Sequence, residues 1–199
     1  MKRIIFILVF LVSFLTTHTG FCFCTPDCAV VNDTLISTEN RLNADKDGNI
    51  FYIRDGVSFT ISPDWNVLYD DQVAKNAYYF SMATENKMSS GLISVVWLDY
   101  FMDLDVTLDS HKSHMLESKE YKYANVQFSE IAYSTFLGYK SRECHYNVIS
   151  KNGTISGRII VFNSAIKTIS IFYQTSSGDK DVNDLLFRDF VLSFGVRED

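Results

Sequence analysis

Ile50-Phe51-Tyr52-Ile53-Arg54-Asp55-Gly56-Val57-Ser58-Phe59-Thr60-Ile61-Ser62-Pro63-Asp64-Trp65 is the stretch on which the reading of the whole chain turns. β-Prone residues run up to Arg54-Asp55-Gly56, whose composition suits a tight turn, and from Val57 to Ser62 apolar and polar residues alternate strictly. Alternation sends Val57, Phe59 and Ile61 to one face and Ser58, Thr60 and Ser62 to the other, the pattern of a half-buried strand. The two runs therefore read as an antiparallel hairpin. Pro63 ends it, since proline has no N–H to give a ladder and biases Ser62 toward extended backbone; Trp65 is then placed to cap the sheet edge.

Further strands follow. Ala77-Tyr78-Tyr79-Phe80-Ser81-Met82 and Gly91 to Leu98 are apolar runs, the second nearly continuous and so expected at the centre of a sheet. Between Leu104 and Tyr121 the period changes: Leu108, His111 or Lys112, Met115 and Leu116 recur at helical spacing, with Thr107 or Asp109 able to cap the start. Strands resume over Val126 to Tyr133, Phe136 to Ile149 with Gly138 as a bulge, Ile155 to Phe162 and Ile166 to Gln174, and Lys151-Asn152-Gly153 supplies a hairpin turn. Val182, Leu185, Leu186, Phe187, Phe190, Val191 and Phe194 form a broad apolar stripe on a C-terminal helix, capped by Asp179 or Asp181 and stopped at Gly195. The fold class expected is α+β, an antiparallel sheet of about seven or eight strands packed with a mid-chain helix and a C-terminal helix.

Composition agrees with one globular domain. The 199 residues include 47% apolar and 15% aromatic side chains but only 2 Pro and 9 Gly, which excludes disordered and collagen-like chains. Eighteen Lys and Arg against 24 Asp and Glu leave a net charge of −6 with no basic block, which argues against a nucleic-acid surface. Met1-Lys2-Arg3 followed by the apolar run Ile4 to Leu15 has the form of a secretory signal, too short for the roughly 20 apolar residues of a membrane span. The expected division is a signal peptide over 1–24, a polar arm over 25–47 and one α+β domain over 48–199. Lipid attachment at Cys22 or Cys24 is a second option, although Phe21 and Phe23 stand where lipoproteins carry a small residue. In an oxidising compartment Cys28 and Cys144 form a candidate disulfide; the alternative is that Cys144, alternating with Tyr146 and Val148, is a buried inert thiol.

The order of elements, with Gly56-Val-Ser-Phe-Thr-Ile-Ser-Pro-Asp-Trp65 at the domain start and Phe136-Leu137-Gly138 opening a later hairpin, resembles the PsbP/Mog-type domain, in particular its small exported bacterial members. The resemblance spans about residues 48–196. It implies an antiparallel sandwich and a role in binding other proteins in the periplasm or cell envelope, with an unnamed protein partner, no catalytic residues and no cofactor. A shared fold supports activity by analogy alone.

Asn43-Ala44-Asp45-Lys46-Asp47-Gly48-Asn49-Ile50 matches the first positions of a calcium loop, but Arg54 stands where a bidentate Glu belongs and no helix flanks it; an Asp/Asn/Gly-rich lead into the first hairpin is the plainer reading. His111, His114 and Glu117 would lie near one helix face and could hold zinc if a further ligand arrived from elsewhere; otherwise they are two partly exposed histidines and an acid. Asp70-Asp71 and Asp103-x-Asp105 read as solvated loop acids. No nucleophile elbow or phosphate-binding glycine loop occurs, so the catalytic, cofactor and metal assignments are none. Tyr78-Tyr79-Phe80, Trp97, Tyr100-Phe101, Tyr121 and Tyr123 are mostly core, but adjacent aromatics on a strand point to opposite faces and leave some rings for a partner. The leading expectation is an exported, non-catalytic domain that binds a protein. A small-ligand carrier with a pocket between sheet and helices, or a hydrolase with an unrecognised site, are the alternatives.

Overall fold

The computed structural model describes residues 44–84, 91–119, 121–151, 153–164 and 166–197. In the described residues eleven strands form two antiparallel sheets. The small sheet holds β1 (Ile50–Arg54), β2 (Val57–Ile61) and β11 (Gly195–Val196) in the order β1-β2-β11. The large one orders β3 (Asn66–Ala74), β4 (Ala77–Ala83), β5 (Gly91–Leu98), β10 (Thr168–Ser176), β9 (Gly153–Asn163), β8 (Tyr139–Ser150) and β6 (Asn125–Phe128), while β7 (Ala132–Phe136) also pairs with β8. Two helices complete the described fold, α1 (Leu104–Glu117) and α2 (Lys180–Ser193).

The large sheet is buried on both sides. Its first face meets the small sheet and α2: Tyr52, Phe59 and Ile61 pack with Phe187, Phe190 and Phe194 on Phe80, Ile93, Trp97, Phe162, Ile171 and Tyr173. Ring contacts fill this layer, with Phe59 edge-on to Phe80 at 4.9 Å and Tyr173 stacked on Phe187 at 4.3 Å between centroids. The opposite face carries Tyr79, Val96, Cys144, Tyr146, Val148, Ile159 and Phe172 beneath Leu108 and Met115 of α1. A two-sided core explains why β5 reads as a continuous apolar run: Val95 faces the first layer and Val96 the second.

Several local expectations need correction. β3 is a strand not expected from the sequence, being an edge strand with register shifts and a half-exposed, polar sequence. The segment read as one strand over Val126 to Tyr133 is broken between β6 and β7, where Ser129 N–H donates to the His145 carbonyl and Ser129 Oγ accepts from His145 N–H. Gly138 is no bulge: with Leu137 at φ 52° and Gly138 at φ 87°, the two residues form the hairpin turn between β7 and β8. Helix α1 starts earlier than Thr107 because Asp103 is its cap, its carboxylate accepting from Val106 N–H at 3.0 Å. Val182 and Leu185 of the expected α2 stripe lie on its solvent side, and Gly195 already belongs to β11.

Candidate functional site

A cluster of charged side chains lies where the β1–β2 turn, the β5–α1 loop and the β9–β10 loop meet. Lys167 Nζ donates to Asp55 Oδ2 at 2.8 Å and to Asp99 Oδ1 at 2.5 Å. The lysine side chain is 5% exposed, whereas the two carboxylates keep about a third of theirs in solvent, 34% and 27%. Burial works against the Lys167 charge, but the hydrogen bonds and charges of Asp55 and Asp99 outweigh it and hold the ammonium above its ordinary pKa. The two acids share that one cation unequally. Burial and the neighbouring Asp55 leave Asp99 raised; on Asp55 burial is outweighed chiefly by the hydrogen bond and charge of Lys167, so it is lowered. Asp99 is thus the member that takes up a proton first.

Beside this clasp, Arg54 Nη1 and the Tyr52 hydroxyl both donate to Asp70 Oδ1 at 2.7 Å. Arg54 also covers the Tyr78 ring at 5.3 Å, and Tyr78 stacks on Trp97 at 5.3 Å with 10° between planes. Burial, then the Asp70 charge, pushes the Tyr52 phenol far up, so it stays a donor. Asp70 is therefore a buried ion-pair partner on β3 rather than a solvated loop acid. Asp103 likewise caps α1, and Asp105 pairs with Arg142 at 2.7 Å.

Three exposed apolar side chains adjoin the clasp along the chain. Tyr100 and Phe101 follow Asp99 directly, Ile166 precedes Lys167, and they are 44%, 59% and 47% exposed. Hydrogen bonds from Thr168 Oγ1 to the Tyr100 carbonyl and from Met102 N–H to Thr168 Oγ1 fix the β5–α1 loop to β10. The aromatic tip thus stands on a braced base.

The other candidates are dispersed. His111 is buried: its Nε2 lies 2.9 Å from Ser170 Oγ and its ring meets Phe172 edge-on at 4.8 Å. Burial, then the His114 charge, pushes its pKa down to about 3. His114 Nδ1 lies 2.8 Å from the Ser110 carbonyl and Glu117 faces solvent, so the three do not converge. Among the described residues no group of three or more His, Cys, Asp or Glu could hold a metal ion. In the calcium-like stretch Asn43 lies outside the described residues; Asp45 accepts from Asp47 and Asn49 N–H at 2.9 Å each and from the Asn49 side chain, which holds its carboxyl below the ordinary value. That is a side-chain-capped turn. Cys28 also lies outside the described residues, while Cys144 is fully buried on β8 facing α1, its thiol pushed up to about 11 by burial. Of the aromatics, Tyr79 and Phe80 are core, Tyr78 and Trp97 belong to the stack described above, and Tyr123 is 89% exposed.

Lys167, Asp55 and Asp99 escape a reading of the sequence because 112 and 68 residues separate the lysine from its partners. The nearest signal was Asp55-Gly56, legible as a turn and not as an ion pair. Glu143, which binds Arg158 and lies 3.1 Å from His145 Nε2, was missed for the same reason: the grouping exists across β8 and β9.

No protein-family profile and no curated protein sequence matches the chain. Among solved structures it is similar to the cyanobacterial PsbP, CyanoP, of Synechocystis sp. PCC 6803, at 15% identity and a TM-score of 0.53, over 86% of this chain and 98% of that one. It is also similar to LpqN of Mycobacterium tuberculosis, involved in cell envelope biogenesis, at 15% identity and a TM-score of 0.44, over 71% and 83% of the chains. The Saccharomyces cerevisiae Ran-binding protein Mog1p matches at 11% identity and a TM-score of 0.43, over 71% and 90%. The sandwich, its two helices and the near-complete overlap with CyanoP give this chain a fold of the PsbP/Mog type.

Proposed function

We propose that the protein is an exported, non-catalytic domain of the cell envelope that binds a protein partner through the Tyr100-Phe101-Ile166 tip. The observation that carries this reading is the tip itself, three exposed apolar side chains on loops held in place by Lys167 and Thr168. A rigid aromatic projection suits an interface, because its rings bury large area on binding and lose little conformational freedom. The ionic groups beside it are bound to one another and act as the brace. Export rests on the Met1-Lys2-Arg3 leader and its apolar run, with cleavage near residue 24 and a polar arm before the domain. The rings that fill the layer between large sheet and α2 weigh against a ligand pocket there.

The test places a photo-crosslinking amino acid at Phe101, Ile166 and, as control, at Leu192 on α2, which is 75% exposed. The chain is expressed with its own leader in a bacterial envelope. One and the same protein adduct at positions 101 and 166, absent at 192, is expected, and replacing the remaining tip residue by Ser weakens it. No adduct at the tip, or an identical pattern at Leu192, contradicts the reading. Release by osmotic shock separates a free periplasmic domain from one tethered through Cys22 or Cys24.

A further inference from the structure

The two outer edges of the large sheet differ in a way that bears on assembly. Edge β3 carries Asp70 and Asp71 and is interrupted by register shifts between Val67 and Tyr69 and between Gln72 and Ala74. Such charges and irregularities keep an edge from pairing with another chain. The opposite edge, built of β6 and β7 side by side on β8, has no such guard along β7: from Tyr123 to Tyr139 the only charged residue is Glu130, in the break between the strands. β7 runs Ala132-Tyr133-Ser134-Thr135-Phe136, its first four residues exposed, and among the described residues it pairs with β8 alone.

The turn fixes which backbone groups of β7 are free. A two-residue turn with positive φ at Leu137 and Gly138 closes on the pair Phe136 and Tyr139, so Phe136, Ser134 and Ala132 direct their N–H and C=O groups to β8. Tyr133 and Thr135 direct theirs outward.

We propose that β7 is a homodimerisation edge, pairing antiparallel with β7 of a second copy across a two-fold axis at Ser134. In that register Tyr133 of one protomer lies opposite Thr135 of the other and exchanges a reciprocal pair of backbone hydrogen bonds with it, and the same pair forms again on the other side of the axis. An aromatic residue against a β-branched one is a favourable cross-strand pair. What favours a second copy is that β7 complements itself: about an axis at Ser134 the Tyr133–Thr135 pair forms twice, and although the net charge of −6 opposes self-association, β7 itself brings no like charges together and the Arg142 lying over Tyr133 is already paired with Asp105. The guarded β3 edge makes the pairing close at two copies instead of growing into a fibre.

Sedimentation equilibrium of the purified protein tests this. Wild type is expected to show a concentration-dependent mass of twice the chain. Thr135→Pro removes only an outward N–H and leaves the β7–β8 ladder whole, so it should weaken dimerisation at least about tenfold, as two lost backbone hydrogen bonds would, with an unchanged circular dichroism spectrum. Ser134→Cys should give a covalent dimer reversed by reductant, since facing residues outside a bonded pair approach to about 4.5 Å between Cα atoms, within disulfide range. Neither the parent chain nor Ser113→Cys, on the exposed side of α1, should do so. In wild type, hydrogen exchange at the Tyr133 and Thr135 amides should slow as concentration rises. A monomer at every concentration with fast exchange at both amides overturns the proposal, as does a dimer that Thr135→Pro leaves intact, which would place the contact elsewhere or assign the edge to a foreign strand.

Discussion

His111 shows how one buried side chain sets a response to pH. Its folded pKa is about 3 against an ordinary 6.5, so between those values the unfolded chain binds a proton that the folded chain does not. Stability from this residue is therefore complete above pH 6.5 and falls as the solution is acidified, with a limiting slope of about 1.4 kcal/mol per pH unit. Carboxylates hardly titrate above about pH 5, so from there to 6.5 the histidines set the slope, and the share of His111, a loss of about 2 kcal/mol, is read as the difference between wild type and a variant without that imidazole. His111→Gln can keep a hydrogen bond to Ser170 without titrating, and urea unfolding at several pH values should show its slope flattened. An unchanged slope in the variant would assign the acid sensitivity to other groups. At the same scale the sequence was half legible: helical spacing puts His111 or Lys112 on the apolar stripe, while His111 itself reads as a metal ligand or a partly exposed residue. Only the position of Ser170 and Phe172 on β10 decides between a ligand and a packed ring.

Among the elements, the β7–β8 hairpin has the clearest internal conflict. Leu137 holds φ 52°, a left-handed conformation in which a branched side chain crowds the following carbonyl at a cost of about 1–2 kcal/mol. Asn-Gly is the preferred pair for such a turn. Leu137→Asn should accordingly raise stability by about 1 kcal/mol, read as an upward shift of the thermal midpoint, without altering strand content. A lower midpoint would mean that Leu137, 44% exposed, contributes more through contact than its backbone costs. Strands with strict alternation or continuous apolar runs, β2 and β5, were legible within a residue of their ends. β3 was not, and β6 and β7 were merged. Edge strands bury one face incompletely, so their sequences carry a weaker period, and the break at Ser129 depends on hydrogen bonds to His145 on another strand.

In the whole molecule, Lys167 joins the small sheet to the large one. Lys167→Met leaves Asp55 and Asp99 facing each other with no cation between them. Because both acids are partly solvated, the expected loss is about 2 kcal/mol at neutral pH, below that of a fully buried pair. The pH dependence at this site should also change. With lysine present, Asp55 has a lowered pKa and its share of stability is lost as pH falls below 3.8, while the raised Asp99 acts in the opposite sense; without the lysine, mutual repulsion raises both acids and protonation of one relieves the variant. Urea midpoints at pH 7 and about 4.5 should therefore draw closer between variant and wild type in acid. A constant difference would show that the lysine acts through packing.

The sequence by itself determined the α+β class, the first hairpin, the central strand, both helices and the resemblance to the PsbP/Mog-type domain, because periods of two and 3.6 residues are local consequences of backbone geometry. It also held the neutral run from Ile131 to Tyr139 in plain view. Tertiary structure alone decided that Lys167 meets Asp55 and Asp99, that Asp70 is buried against Arg54 and Tyr52, and that among the described residues β7 pairs with β8 alone. Those facts depend on which strands become neighbours, and that is set by how two sheets and two helices jointly bury their apolar faces rather than by any single stretch of residues.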